Sequence, residues 1–132
     1  MIVVDASVLA NALADGGADG RLARTALRGD RDIAAPDLVD VETVSVLRKR
    51  WLAKDLTARR FRTAIDDLTD LEILRHPVLP FLRRAYELRA NVTPYDAVYV
   101  ALAEALDCPL LTSDSRLASA PGPRCVIRVV RT

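Results

Sequence analysis

Short, wholly apolar runs separated by helical segments constrain this chain more than any other feature. Ile2-Val3-Val4, Ile33-Ala34-Ala35 and Pro109-Leu110-Leu111-Thr112 show no alternation of polar and apolar side chains. A strand of that kind is buried on both faces, and such strands belong to parallel sheets covered by helices. Helical patterns fill the intervals. The first is predicted over 7–14 with Ser7 as its cap, the second over 19–28 with Gly29 as its stop. A long helix follows Pro36, capped by Asp37, with Leu38, Val41, Val44 and Leu47 at helical spacing. Thr57 opens another, with Phe61, Ile65 and Leu68 on one face. Glu72-Ile73-Leu74 reads as a further strand, 79–90 as a helix, and Thr93-Pro94 as the cap and first position of a helix reaching Leu106. A short helix over 115–118 and a strand over 126–130 complete the chain. This order predicts an α/β fold with a mostly parallel central sheet of four to five strands flanked by helices. At 132 residues it makes one domain, 1–132, without repeat or linker.

No apolar run approaches the roughly 20 residues that span a bilayer, and Asp5 interrupts the early hydrophobic stretch where a signal peptide would need continuity. The expected location is therefore cytoplasmic, with no membrane partner. In that compartment Cys108 and Cys125 are expected to be reduced fillers beside strands. Two Cys and one His fall short of a structural zinc site. The net charge of +1 gives no global pull on nucleic acid, yet the basic residues are 17 Arg and 2 Lys. That skew fits base composition, and it also fits bidentate contacts to phosphate.

Four acids stand out by their settings. Asp5 ends the first strand and Asp114 follows the strand that ends at Thr112. The ends of parallel strands face the crevice in which α/β proteins bind ligands. With Ser7 able to cap the first helix, Asp5 is free for another task. Glu42 borders the apolar stripe of its helix, where a carboxylate needs a partner or a cation. Asp37 and Asp40 nearby read as a cap and a solvated charge. Asp96 lies in the first turn of a helix whose continuation, Ala97-Val98-Tyr99-Val100-Ala101-Leu102-Ala103, is apolar on nearly all sides. Singly, Asp96 and Asp114 also read as helix-end residues. Together the four acids repel unless a cation neutralises them, which points to a divalent-metal site and to phosphodiester chemistry.

Other chemistries find less support. His76 is the only histidine and reads as a loop residue, so neither a Ser-His-Asp triad nor a two-histidine ribonuclease can be assembled. Gly16, Gly17 and Gly20 lie between helices rather than after a strand, which removes a phosphate-binding glycine loop. All-oxygen ligands favour Mg2+, with Mn2+ possible.

The segments Ile2-Val3-Val4-Asp5-Ala6-Ser7, Ala35-Pro36 followed by Glu42, Tyr95-Asp96-Ala97-Val98-Tyr99, and Leu111-Thr112-Ser113-Asp114-Ser115-Arg116-Leu117 resemble the PIN-domain nucleases. The length resembles the VapC toxins of bacterial toxin–antitoxin pairs. The resemblance spans the chain and is weakest over 50–90. It implies a Mg2+-dependent endoribonuclease in which Asp5 and Asp96 are the principal metal ligands. It further implies that Glu42 and Asp114 complete the catalytic set, and that Ser7 and Thr112 supply hydroxyls beside the first and last acids. Ser113 and Ser115 stand where some relatives carry a further acid, so occupancy of a second metal site is open.

The implied reaction is hydrolysis of RNA to 5′-phosphate and 3′-hydroxyl ends. The implied partners are RNA, a cognate antitoxin and a second copy of the chain. Trp51, Leu52, Leu56 and Phe61 cluster at a helix–helix junction among basic residues. They form either a self-packed hairpin or a groove for an amphipathic antitoxin segment. Rival readings are weaker. A phosphoacceptor domain needs an acidic pair after the first strand and a late lysine, and an aspartyl phosphatase needs an acid at position 7. A PIN-like protein that binds RNA without cutting it remains the alternative.

Overall fold

In the computed structural model, which describes residues 1–29 and 31–132, five parallel strands form one sheet. β1 (Ile2–Val4) lies at its centre, between β2 (Ile33–Pro36) and β4 (Leu110–Thr112). β3 (Leu74–His76) and β5 (Ile127–Val129) form the edges, giving the order β3-β2-β1-β4-β5. The helices are α1 (Ala6–Ala14), α2 (Ala18–Leu27), α3 (Val39–Leu52), α4 (Ala58–Asp70), α5 (Leu82–Glu87), α6 (Pro94–Leu106) and α7 (Ser115–Ser119). None is long and apolar enough to cross a membrane among the described residues.

The central strands behave as their apolar runs require. Val3 and Leu110 pack into a large core with Val98, Tyr99 and Leu102 of α6. Their neighbours Ile2, Val4 and Leu111 point the other way, against Val8 and Ala23 of α1 and α2. The period-2 alternation thus feeds two cores, because both sheet faces are covered. α6 is buried from Ala97 through Ala103, as its all-round apolar sequence demands. A third cluster joins Ala10, Ala14, Leu47, Leu56 and Ala64 where α1, α3 and α4 meet. Gly20 allows α2 to fold back on α1: a Cβ there would lie 1.8 Å from the Asp15 carbonyl oxygen. Truncating Leu110, fully buried, would cost about 2–5 kcal/mol through the cavity left behind.

Several expectations are corrected. The N-cap of α1 is Asp5, not Ser7, because the helix begins at Ala6, two residues before a Ser7 cap would place it. Asp37 caps nothing: its N–H is held by the His76 carbonyl at 2.8 Å, so the chain is still tied to the sheet there, and Leu38 occupies the cap position. His76 is a strand residue paired with Pro36, and the third strand lies at 74–76 rather than 72–74. Pairing with β2 sets that register, which local sequence does not contain. Val41 is exposed, and α3 instead buries Val39, Thr43 and Leu47. Asp40 is paired with Arg75 through two bonds of 2.7 and 3.0 Å. The helix expected over 79–90 is a single 3-10 turn, Leu79–Phe81, followed by α5, which ends at Glu87. Pro80 lacks an N–H, and the Arg89 and Asn91 amides bond to carbonyls three residues back, which tightens the chain out of α-helical geometry.

Candidate active site

The strand order reverses between β1 and β4, and both strands end at the same edge of the sheet. Asp5 follows β1 and Asp114 follows β4, so the switch point of the sheet delivers two of the acids directly. Asp96 comes from the first turn of α6 and Glu42 from the first turn of α3. Two of the carboxylates show the pull of their acidic neighbours. Glu42 is pushed up by Asp96 and Asp5, and Asp96 by Asp5 and Asp114. The structure therefore brings all four predicted acids within electrostatic range of one another at one end of the sheet.

Asp5 is the most confined, at 7% exposure. Its Oδ1 accepts from the Ser7 and Val8 amides, both at 3.1 Å, and from the Ser7 hydroxyl at 2.6 Å. Burial nonetheless raises its pKa, against the opposing hydrogen bonds from Ser7 and Thr112. The Ser7 hydroxyl in turn accepts from the Ser113 amide at 3.0 Å, which links the loops after β1 and β4. Thr112, fully buried, accepts from the Asp114 amide at 3.1 Å. Both predicted hydroxyl residues thus hold the acids in place. Asp114 caps α7 by accepting from the Arg116 amide at 2.9 Å, and its carboxylate lies 3.4 Å from the Arg116 guanidinium.

Glu42 and Asp96 are raised by burial first and by their acidic neighbours second. Asp96 receives some relief from Arg116, while its own amide donates to the Thr93 cap at 3.2 Å. Among the described residues no ion pair reaches Asp5, Glu42 or Asp96. Nor are three acidic, His or Cys side chains drawn into a closed cluster. The donor set fits a hard divalent cation: it is all oxygen, buried at Asp5 and half-buried at the other three, and short of positive charge.

One contributor went unnoticed in the sequence. The Tyr99 hydroxyl donates to Glu42 Oε1 at 2.6 Å, and burial together with Glu42 keeps the phenol protonated far above its ordinary range. Tyr99 sits one turn after Asp96 on α6, so the i, i+3 spacing was the available signal. Beside Ser113, a polar cavity is lined by Asn11, Arg50, Arg60 and Arg131 together with Asp15 and Asp19. Arg50 is anchored there by a 2.5 Å bond to the buried Asn11 amide oxygen. Away from the acids, Trp51 and Leu52 are exposed at the end of α3. The Trp51 ring stands 6.3 Å from that of Phe61. Leu56 does not share that exposed surface: it is buried between α1, α3 and α4, with only an edge at the polar cavity.

Comparison with known proteins agrees with this fold. The PIN domain model matches residues 2–123. Ribonuclease VapC1 of Mycobacterium tuberculosis is 45% identical over 130 residues, covering 98% of this chain and 97% of its own. The solved structure of VapBC-5 from Mycobacterium tuberculosis, a member of the VapBC family of toxin–antitoxin systems, is 27% identical with a TM-score of 0.55. It covers 98% of this chain and 97% of its own. VapBC2 from Rickettsia felis, solved with a DNA fragment from its promoter, shares the fold at a TM-score of 0.68 and 17% identity, covering 98% of each chain. With the family model spanning most of the chain and a VapC relative matched nearly end to end, the chain belongs to the PIN-domain family, among the VapC proteins.

Proposed function

We propose that this protein is a divalent-metal-dependent endoribonuclease that serves as the toxin of a toxin–antitoxin pair. One observation carries the reading. Glu42 and Asp96 are each pushed up by acids carried on other elements, and among the described residues neither they nor Asp5 has an ion-pair partner. A fold does not retain that arrangement for stability, since each buried charge costs free energy until it is neutralised. The resemblance to a protein named as a ribonuclease supports RNA as the substrate. The resemblance to a VapBC toxin–antitoxin member supports an antitoxin partner.

Asp5 and Asp96 are the proposed principal ligands of Mg2+ or Mn2+, with Glu42 and Asp114 completing the set. When bound, the ion supplies positive charge against the scissile phosphate and acidifies water for attack in line. The chain's own residues set the stage. Ser7 and the α1 amides fix the Asp5 carboxylate, Tyr99 fixes Glu42, and Thr112 with the α7 N-terminus fixes Asp114. The expected products are 5′-phosphate and 3′-hydroxyl ends, because water rather than the ribose 2′-hydroxyl is the nucleophile. Single-stranded or looped RNA is the expected form of the substrate. The protein acts as a homodimer in the cytoplasm.

The deciding experiment is cleavage of a mixed RNA pool by the purified protein and by Asp96→Asn, in Mg2+ and in EDTA, with the ends mapped. Metal-dependent cutting that leaves 5′-phosphates and is lost in the variant is the expected result. Cutting that survives EDTA, or 2′,3′-cyclic phosphate ends, would overturn the mechanism. RNA binding in Mg2+ without cutting would favour a non-catalytic PIN protein.

A further inference from the structure

The two cysteines, far apart in sequence, lie just before β4 and β5, at the end of the sheet opposite the acids. β4 and β5 pair with Leu110 opposite Ile127, and the Leu110 amide donates to the Val126 carbonyl at 2.9 Å. Cys108 and Cys125 each lie two residues before that pair, just outside the strands, and the negative charge of Cys108 bears on Cys125. Three further observations agree. Both cysteines pack against the same core cluster as Leu110 and Ile127. Both line one open cavity of about 460 Å³, with Glu104, Asp107 and Arg124 at its rim. Neither is fully buried, and both are free. The strands that both cysteines lead into lie about 4.8 Å apart, and disulfide-bonded Cα atoms are typically about 4.4–6.8 Å apart, so a bridge asks for only a short approach of the two lead-in segments.

We propose that Cys108 and Cys125 form an oxidisable dithiol site that closes to an intramolecular disulfide when the protein meets a small-molecule disulfide oxidant. The thiolate of Cys108 attacks one sulfur of the small disulfide. The S–S bond breaks, and the first small thiol leaves carrying the proton that Cys108 gave up. The thiolate of Cys125 then attacks Cys108 Sγ, and the second small thiol leaves with the Cys125 proton. Two cysteine thiols are oxidised by two electrons, and one small disulfide is reduced to two thiols. Burial raises both cysteine pKa values, and the nearby Glu104 adds to the rise at Cys125, which is pushed up to about 11. The site is consequently slow at neutral pH and faster in alkali, since the thiolate is the nucleophile.

Its consequence follows from what lies between the two sulfurs. The segment 108–125 contains β4, Thr112, Ser113, Asp114 and α7. A bridge would close that segment into a ring and lock edge strand β5 onto β4. Opening of the sheet at β5 would then be restrained from below the loop that carries Asp114.

The test treats the full-length protein with oxidised glutathione at mildly alkaline pH, then measures its intact mass, its free thiols and its peptide map. The expected product has lost two hydrogens and both thiols, runs as a monomer on a non-reducing gel, and yields one peptide cross-linking Cys108 to Cys125. Its melting temperature should exceed that of the reduced protein by roughly 5 °C. Cys125→Ala should instead retain a single glutathione on Cys108 and show no such rise. Two glutathione adducts on the unaltered protein, a disulfide-linked dimer, or two thiols left free would each overturn the proposal. The mass and thiol readouts do not depend on nuclease activity, so they test the dithiol separately from the catalytic reading.

Discussion

The Tyr99 hydroxyl and Glu42 Oε1, brought together from α6 and α3, share a 2.6 Å hydrogen bond at the wall of the acidic crevice. The bond aims a carboxylate that burial and two neighbouring acids would otherwise push towards neutrality. Tyr99→Phe removes the donor and keeps the packing of a ring that is 1% exposed. The expected loss of RNA cleavage is about 10–100-fold, the range for residues that orient a metal ligand. An unchanged near-ultraviolet circular dichroism spectrum would assign the loss to Glu42 rather than to the core. Full cleavage by the variant would remove Tyr99 from the site.

Asp5 combines two roles that pull stability in opposite directions. Its Oδ1 caps α1, while its buried charge has a raised pKa. Asn keeps an oxygen for the cap and carries no charge. Asp5→Asn should therefore melt higher than the unaltered protein in EDTA at neutral pH, while cleavage falls on the order of a hundredfold or more. The pH dependence has a definite sign. With the folded pKa above its ordinary value of 3.8, the folded state holds more protons as pH rises through that window, so stability declines. Glu42 and Asp96 act in the same direction. Melting curves in EDTA should show the advantage of Asp5→Asn growing from acid to neutral pH. Added Mg2+ or Mn2+ should raise the melting temperature of the unaltered protein and narrow the gap. An advantage that does not change with pH would contradict a buried, proton-linked charge at Asp5.

The strands and acids were legible because they rest on local pattern. Apolar runs marked β1, β2 and β4, and the polar residue after each of β1 and β4 had to emerge at the crevice edge. The Thr93-Pro94 start fixed Asp96 in the first turn of α6. What failed was non-local. β3 takes its register from β2, which is why His76 became a strand residue and Asp37 lost its cap. Val41 and Val39 are both valines two positions apart, and only the packing of α3 decides which is buried. Asp5 was read as choosing between cap and ligand, whereas a carboxylate has two oxygens and the cap uses Oδ1.

Thr43 offers a test of stability away from the chemistry. It is wholly buried on α3, and its Oγ1 is the one buried side-chain oxygen or nitrogen among the described residues that lacks a hydrogen-bond partner. Val has nearly the same shape without the hydroxyl, so Thr43→Val removes an uncompensated polar group. The expected gain is about 1 kcal/mol, or ~4 °C in melting temperature. Chemical denaturation with an unchanged slope would confirm the assignment, and a loss of stability would show that the hydroxyl has a partner, such as an internal water.

The apolar residues at the end of α3 separate a partner surface from a core. Trp51 is 43% exposed and Leu52 54% exposed, while Leu56 is 6% exposed and packs with Ala10, Leu47 and Ala64. Phe61 lies between the two cases, half-buried and tilted against Trp51 across a shallow apolar cavity shared with Ala58 and Ile65. If this junction receives the apolar face of an antitoxin helix, Trp51→Ala and Leu52→Ala should weaken the toxin–antitoxin complex. An exposed aromatic anchor typically contributes about 2 kcal/mol or more, close to thirtyfold in Kd. The same changes should leave the isolated toxin's melting temperature within a degree or two of the unaltered protein. Leu56→Ala should do the reverse, costing about 2–5 kcal/mol of folding stability. Calorimetric titration with the cognate antitoxin, alongside melting curves of each variant, reads both quantities. Unchanged affinity in the Trp51 and Leu52 variants would return this junction to a helical hairpin that packs only on itself.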